Sequence, residues 1–184
     1  PWMEVIAERH EAQAALLLAR QLQAQTERLQ ALQRRLARPL PGLTVIRNVR
    51  WFDSRAVVMH GPADVSIYDG RITAIEPAGS THREPTQTID GSGRTLLPGL
   101  YDMHGHMSDE DGLFQLAAGV TSVRDPASRN DKLEELRTKI DAGIVPGPRI
   151  QAMGFIEGRS PYSARYGFVA DSLEAAKSAV DWYA

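Results

Sequence analysis

The chain has 184 residues, 42% of them apolar and 24% charged, with a formal net charge of −2. These proportions belong to an ordinary globular protein and exclude a disordered or fibrous one, and so small a net charge gives no reason to expect nucleic acid or an anionic membrane as partner. Cysteine is absent, which excludes disulfides and thiolate metal sites and leaves His, Asp, Glu or a modified side chain to hold any metal.

Residues 1–38 read as a long amphipathic helix. Neither Gly nor Pro interrupts Met3 to Ala37, and Ala, Leu, Gln, Glu and Arg, all good helix formers, dominate. Ala15, Leu18, Leu22, Leu29, Leu32 and Leu36 fall on alternating steps of three and four, with Gln25 breaking the seam. That seam suits either a coiled-coil arm that pairs copies of the chain or a helix packed on its own protein. Pro39 and Pro41 end it. The longest apolar run near the start, Ala14 to Ala19, is far short of the roughly 20 residues that a membrane span needs. A start at Pro1 rather than Met is expected of a processed or excised chain, either cytoplasmic or exported with its signal removed.

Residues 39–97 change to a β pattern, expected to form a small antiparallel module. Leu43–Val49 is a strand. Val65 and Ile67 alternate with polar neighbours, Asp69–Gly70 follows, and Ile72 resumes the alternation, which predicts a tight hairpin. The polar stretch Gly79–Thr86 leads to strands at Thr88–Asp90 and Thr95–Leu97 around the turn Gly91–Ser92–Gly93. From Pro98 onward strands and helices alternate, which predicts parallel β/α units. The strands are Leu100–His106, Val120–Arg124 and Pro148–Phe155; the helices are Gly112–Ala118 and Asp131–Ala142. A last helix is opened by Asp171 and Glu174, with Leu173, Ala176, Val180 and Tyr183 along one stripe.

In a strand, residues i and i+2 point to one face, so His104 and His106 are expected to present two imidazoles side by side. Two convergent neutral imidazoles suit Zn²⁺ or another divalent metal. Asp102, two residues earlier, is placed to orient a ligand. Two ligands do not complete a catalytic zinc site, which takes about three protein ligands and a water. His10, His60 and His82 lie before the β/α region and read as surface or loop histidines.

The run from Ile89 to His106, IDGSGRTLLPGLYDMHGH, resembles the junction in amidohydrolase-superfamily enzymes between their small β-sandwich and their first barrel strand. GVTSVRD at 119–125 resembles the second barrel strand of that superfamily, and PGPR at 146–149 its imidazolonepropionase-like and prolidase-like branch. The resemblance covers residues 43–184. It implies an α/β fold in which residues 98–184 are the first three β/α units of a TIM-type (β/α)8 barrel, preceded by half of a small antiparallel β-sandwich and by the helix. Such barrels carry their chemistry at the C-terminal ends of the strands, where His104 and His106 stand. The resemblance further implies one or two divalent metal ions, Zn²⁺ or another, that activate water against a C–N bond. The substrate would be a small amide or a dipeptide-like molecule.

The remaining ligands in the superfamily, a carboxylated Lys or a Glu and two further His, come from later strands that this chain does not include. The 184 residues alone are therefore expected to be inactive, and roughly 200–250 further residues are expected to complete the barrel. Asp125, ending the second strand, is a candidate to line the site or to cap the following turn. Glu157, Arg159 and Tyr162, in the loop after the third strand, are candidates for substrate contact, with Arg159 able to clamp a carboxylate. That loop departs from the Thr-Gly-Gly-His type of many prolidase-like relatives. The alternative function is a non-catalytic scaffold or interaction module acting through the N-terminal helix, and a homo-oligomer is compatible with either reading.

Overall fold

A computed structural model describes residues 7–80, 83–164 and 166–183. The chain divides into two compact units, one made of residues 37–99 and the other of residues 1–36 with 100–184.

The 37–99 unit is a single five-stranded sheet. β1 (Thr44–Asp53), β2 (Val58–Tyr68), β3 (Arg71–Pro77) and β4 (Gln87–Asp90) lie in the order β3-β2-β1-β4, and β5 (Thr95–Leu96) also pairs with β1. The expected hairpin joins β2 to β3. Asp69 and Gly70 have φ of 49° and 68°, the left-handed pair that a two-residue hairpin of the type I′ kind demands. An entirely antiparallel sandwich half is not what forms. β4 and β5 both run parallel to β1, with Thr44 opposite Gln87 and Arg50 opposite Thr95. The polar stretch after β3 carries the chain back to the start of β1, where the Thr86 N–H donates to the Leu43 carbonyl at 2.8 Å. From there the next strand can only run in β1's own direction.

β1 carries a bulge between Ile46 and Val49, with Asn48 at φ 56°. A bulge leaves amides without ladder partners, and here Asp64 of β2 supplies one. Its carboxylate, 1% exposed, accepts the Asn48 N–H at 3.0 Å, the Gly79 N–H at 3.1 Å and an Arg47 guanidinium N–H at 2.8 Å. One side chain thus ties β1, β2 and the turn after β3 together. In the same sheet His60 stacks on Trp51 with ring centroids 4.5 Å apart.

The other unit holds a three-stranded parallel sheet in the order β6-β7-β8: β6 (Leu100–Asp102), β7 (Val120–Asp125) and β8 (Arg149–Ala152). α2 (Asp111–Ala117) links the first two strands and α3 (Asn130–Asp141) the last two. Val123 and Ile150, paired in register, pack with Leu133 and Leu136 of α3 and with Met107 and Val145 to form the core. β6 and β8 are edge strands, and apolar side chains beside them stay exposed, among them Leu100, Tyr101, Met103 and Met153. Beyond β8, β9 (Ile156–Gly158) pairs in parallel with β10 (Phe168–Ala170), and α4 (Leu173–Tyr183) follows.

The helix expected over 3–37 is α1, Ala14–Leu36, preceded by a 3₁₀ turn at Glu11–Gln13; residues 3–6 of that expectation lie outside the described residues, as does His82. His10 stands before the turn, with its Nδ1 3.3 Å from the Gln13 side-chain oxygen. α1 packs on its own unit through Leu29, which is buried in the core cluster, while Leu22 and Leu36 of the same seam are exposed. The inward face of α4 takes in half of the expected stripe, with Ala176 and Tyr183 half-buried. Ala179 is buried and Leu173 and Val180 are exposed. Its first turn is held by the Ser172 hydroxyl, which accepts the Ala175 N–H at 3.1 Å, so Ser172 and not Asp171 caps the helix.

Candidate metal centre

Parallel pairing brings the C-terminal ends of β6, β7 and β8 to one edge of the sheet. His104 and His106 follow β6 at that edge. The expected strand through His106 ends four residues early, at Asp102. The reason is local: the Asp102 carboxylate turns back to accept the His104 N–H at 3.0 Å, an Asx turn that bends the chain out of the strand. Strand alternation therefore does not set the two rings. They converge because the bent segment is pinned to β7, where the Gly105 N–H donates to the Arg124 carbonyl at 3.1 Å. Gly105 is needed for that approach, since a Cβ there would stand 2.9 Å from Val123 and 3.0 Å from the Asp102 carboxylate. The two imidazoles then meet edge to face, with centroids 5.3 Å apart.

Asp102 bonds to the His104 backbone and to α2. It pairs in register with the buried Val123, and its second oxygen accepts the Gln115 amide of α2 at 3.3 Å. It orients the His104 backbone. Asp125, at the end of β7, is fully buried and holds the segment just after His106: its carboxylate accepts the Met107 N–H at 2.8 Å. The same carboxylate accepts the N–H groups of Ala127 and Ser128 and the Ser128 hydroxyl, and lies 3.7 Å from His106 Nδ1. Its bonds to Ala127 and Ser128 are those of a residue that holds the following turn.

The loop candidates bond to other residues of the segment 157–171. The Glu157 carboxylate accepts the Ala164 N–H at 2.8 Å, and Arg159 directs its Nε (3.0 Å) and one Nη (2.9 Å) at a single oxygen of Asp171. Tyr162 is 93% exposed. None of these bonds reaches the histidine pair. Three residues near the pair were not among the sequence candidates: Gln115, Ser128, and Arg124, which lies within the 119–125 stretch and whose Nε donates to the Met103 carbonyl at 2.8 Å. Only Ser128 left a signal, as the hydroxyl three residues after Asp125 in an Asx-type turn.

The donor set suits a divalent metal as a pair of ligands and no more. Among the described residues no cluster of three or more His, Asp or Glu side chains is arranged to hold an ion.

No family model matches the chain. It is similar to adenine deaminase 3 of Rhizobium meliloti (strain 1021), with 42% identity over 84 residues, 45% of this chain and 14% of that protein. It is also similar to a dihydroorotase of Thermus aquaticus, 40% identical over 67 residues, 36% of this chain and 14% of that one. An imidazolonepropionase of Stenotrophomonas maltophilia (strain R551-3) is 52% identical over 40 residues, 21% of this chain and 10% of that one. The chain therefore spans about one seventh of the length of the first two. Among solved structures it has the fold of a Xaa-Pro dipeptidase with bound methionine in the active site, with a TM-score of 0.64 at 20% identity over 77% of this chain and 44% of that one. A bottromycin amidohydrolase gives 0.62 at 20% identity, over 83% of this chain and 32% of that one.

Proposed function

Relatives matched over part of this chain are enzymes of the amidohydrolase superfamily, and on that premise we propose that the chain supplies the first metal ligands, His104 and His106, of a metal-dependent hydrolase of C–N bonds. The observation that carries the reading is the histidine pair itself. Two imidazoles 5.3 Å apart, centroid to centroid, stand at the C-terminal edge of a parallel sheet on a segment tied down at Asp102, Gly105 and Met107. That edge is where a (β/α)8 barrel carries its chemistry. The sheet β6-β7-β8 with α2 and α3 is read as the first units of such a barrel, and its open edges and exposed apolar side chains suit further strands. Residues 39–97 are read as the small β domain that accompanies it.

His104 and His106 would hold a divalent cation, Zn²⁺ or another, in company with ligands from later strands. The chemistry such a cation supplies when bound is activation of water and polarisation of the scissile carbonyl. The chain's own part is to keep two imidazoles converged on a fixed backbone, so that less ordering is needed when the cation arrives. The names of the relatives share hydrolysis at a carbon bonded to nitrogen, in a ring amide, an amidine or a peptide. A small cyclic amide or a dipeptide-like molecule is accordingly the substrate class. In the complete protein, chelation should abolish hydrolysis of such substrates and added Zn²⁺ should restore it. Full turnover after exhaustive removal of metal, verified by elemental analysis, would overturn the reading.

Arg159 is proposed as the substrate-carboxylate group, with Asp171 as its resting partner. An exposed pair of this kind contributes only about 0–1 kcal/mol, so a substrate carboxylate can displace Asp171. Arg159→Ala should raise KM by the equivalent of about 1.5–3 kcal/mol, the range for a charged hydrogen bond, with a smaller effect on kcat. Asp171→Ala should leave KM unchanged or lower it. Equal effects of Arg159→Ala on a dipeptide and on its carboxamide analogue would return Arg159 to the ordinary surface arginines.

A further inference from the structure

Asp125 is built into the molecule more deeply than any other acid beside the histidines. Its carboxylate is 0% exposed, and both oxygens are occupied. Oδ1 accepts the N–H groups of Ala127 at 3.2 Å and Ser128 at 3.0 Å; Oδ2 accepts the Met107 N–H at 2.8 Å and the Ser128 hydroxyl at 2.7 Å. Burial of a carboxylate is costly unless donors or a cation compensate it. Among the described residues the only side chain able to carry positive charge within 4.0 Å is His106, whose Nδ1 lies 3.7 Å from Oδ1. That distance exceeds a hydrogen bond by a few tenths of an ångström. The His106 ring is 54% exposed, so it has room to close the gap while the carboxylate, held by four donors, stays fixed.

A neutral imidazole carries one proton on one of two nitrogens, and a fixed acceptor at Nδ1 draws the proton there. The Nε2 lone pair is then left pointing away from the carboxylate. His104 has no comparable acceptor from Asp102, whose oxygens take the His104 backbone N–H and the Gln115 amide. We infer that Asp125 is a positioning residue for His106: its carboxylate holds the Nδ1 proton and so presents Nε2 as the ligating nitrogen. The same carboxylate pins the Met107 backbone and the turn Ala127–Ser128 that leads into α3. One buried group therefore sets both the tautomer of the ligand and the course of the chain on either side of it. The inference rests on the metal-centre reading and deepens it.

The test uses the whole 184-residue chain and needs no turnover. Nitrogen-15 NMR of the metal-free chain, at a pH where the rings are neutral, reports which nitrogen of each histidine bears the proton. His106 should carry it on Nδ1 in the native chain and lose that preference in Asp125→Asn, while His104 stays as it is. Ser128→Ala removes one donor to Asp125 but keeps the carboxylate, and should leave His106 on Nδ1. Titration with Zn²⁺ alone should then give an affinity about 10–100-fold lower for Asp125→Asn than for the native chain, the usual effect of removing a ligand's orienting partner. A native His106 protonated on Nε2 overturns the inference, as does an equal change in Asp125→Asn and Ser128→Ala. If Asp125→Asn does not fold, the native spectrum decides it: His106 protonated on Nε2 overturns the inference, and His106 on Nδ1 beside a His104 without that preference supports it. Failure of the metal-centre reading looks different: the native chain keeps the Nδ1 proton on His106, yet His104→Ala binds Zn²⁺ as tightly as the native chain does.

Discussion

In the complete protein, His104→Ala or His106→Ala should remove the metal and abolish hydrolysis. A catalytic zinc is held by about three protein ligands, so deletion of one leaves a site with too few to compete with water. The loss in affinity should exceed the roughly 10–100-fold that follows removal of a group that merely orients a ligand. Folding should be little affected, because both rings are exposed and no core contact is lost. The order of effects is itself informative: the histidine variants should cost more metal than Asp125→Asn, and Arg159→Ala none. Elemental analysis of purified variants, with circular dichroism as the control for folding, is the measurement. Stoichiometric metal retained in the double Ala variant would remove His104 and His106 from the site.

The second large effect is expected on stability, at Asp64. Burial pushes its carboxyl up, but the N–H groups of Asn48 and Gly79 and the Arg47 guanidinium together outweigh that and hold it below its ordinary value of 3.8. Asp64→Ala leaves three donors facing a void, two of them backbone amides. Each buried amide left without an acceptor costs about 1–3 kcal/mol, and the Arg47 guanidinium, 33% exposed, adds less because water can reach it, so the loss is a large fraction of a marginal stability. The sign of the pH dependence follows from the lowered value. The folded chain binds the Asp64 proton less readily than the unfolded chain, so this contribution is complete above about pH 4 and is lost as pH falls through the folded value. Urea unfolding between pH 2 and 7 should give a native chain that weakens below about pH 4 and an Asp64→Ala variant with a flatter acid limb. Parallel curves displaced by a constant amount would mean that Asp64 stabilises through packing rather than charge.

Elements set by a few neighbouring residues were legible in the sequence. The hairpin at Asp69–Gly70 follows from two adjacent residues that tolerate left-handed φ, and α2 and α3 follow from apolar spacing with Gly119 and Gly143 just past their ends. The alternation of parallel strands with helices from Leu100 onward was likewise readable. So was the pairing of His104 with His106, although the cause differs from strand alternation. The bend at Asp102 depends on a carboxylate choosing a backbone N–H two residues on, a bond that competes with the ladder and that spacing alone does not rank.

What only the tertiary structure decided involves partners far apart in the chain. β4 could lie on either side of the sheet and in either direction until the Gly79–Thr86 stretch brought it beside β1. β9 and β10, three residues each, are too short for any periodicity to announce and exist through each other. The α1 seam reads alike for a helix pairing with a copy of itself and for one lying on its own protein; Leu29 in the core fixes the second contact. Asp125 is the sharpest case. In sequence it is an acid before a proline, but folding removes it from water and gathers on it the Met107 N–H, 18 residues away, and two N–H groups and a hydroxyl from the turn that follows. Local propensity acts within one turn of chain, whereas burial and the satisfaction of a buried charge are properties of whichever segments the fold packs around it.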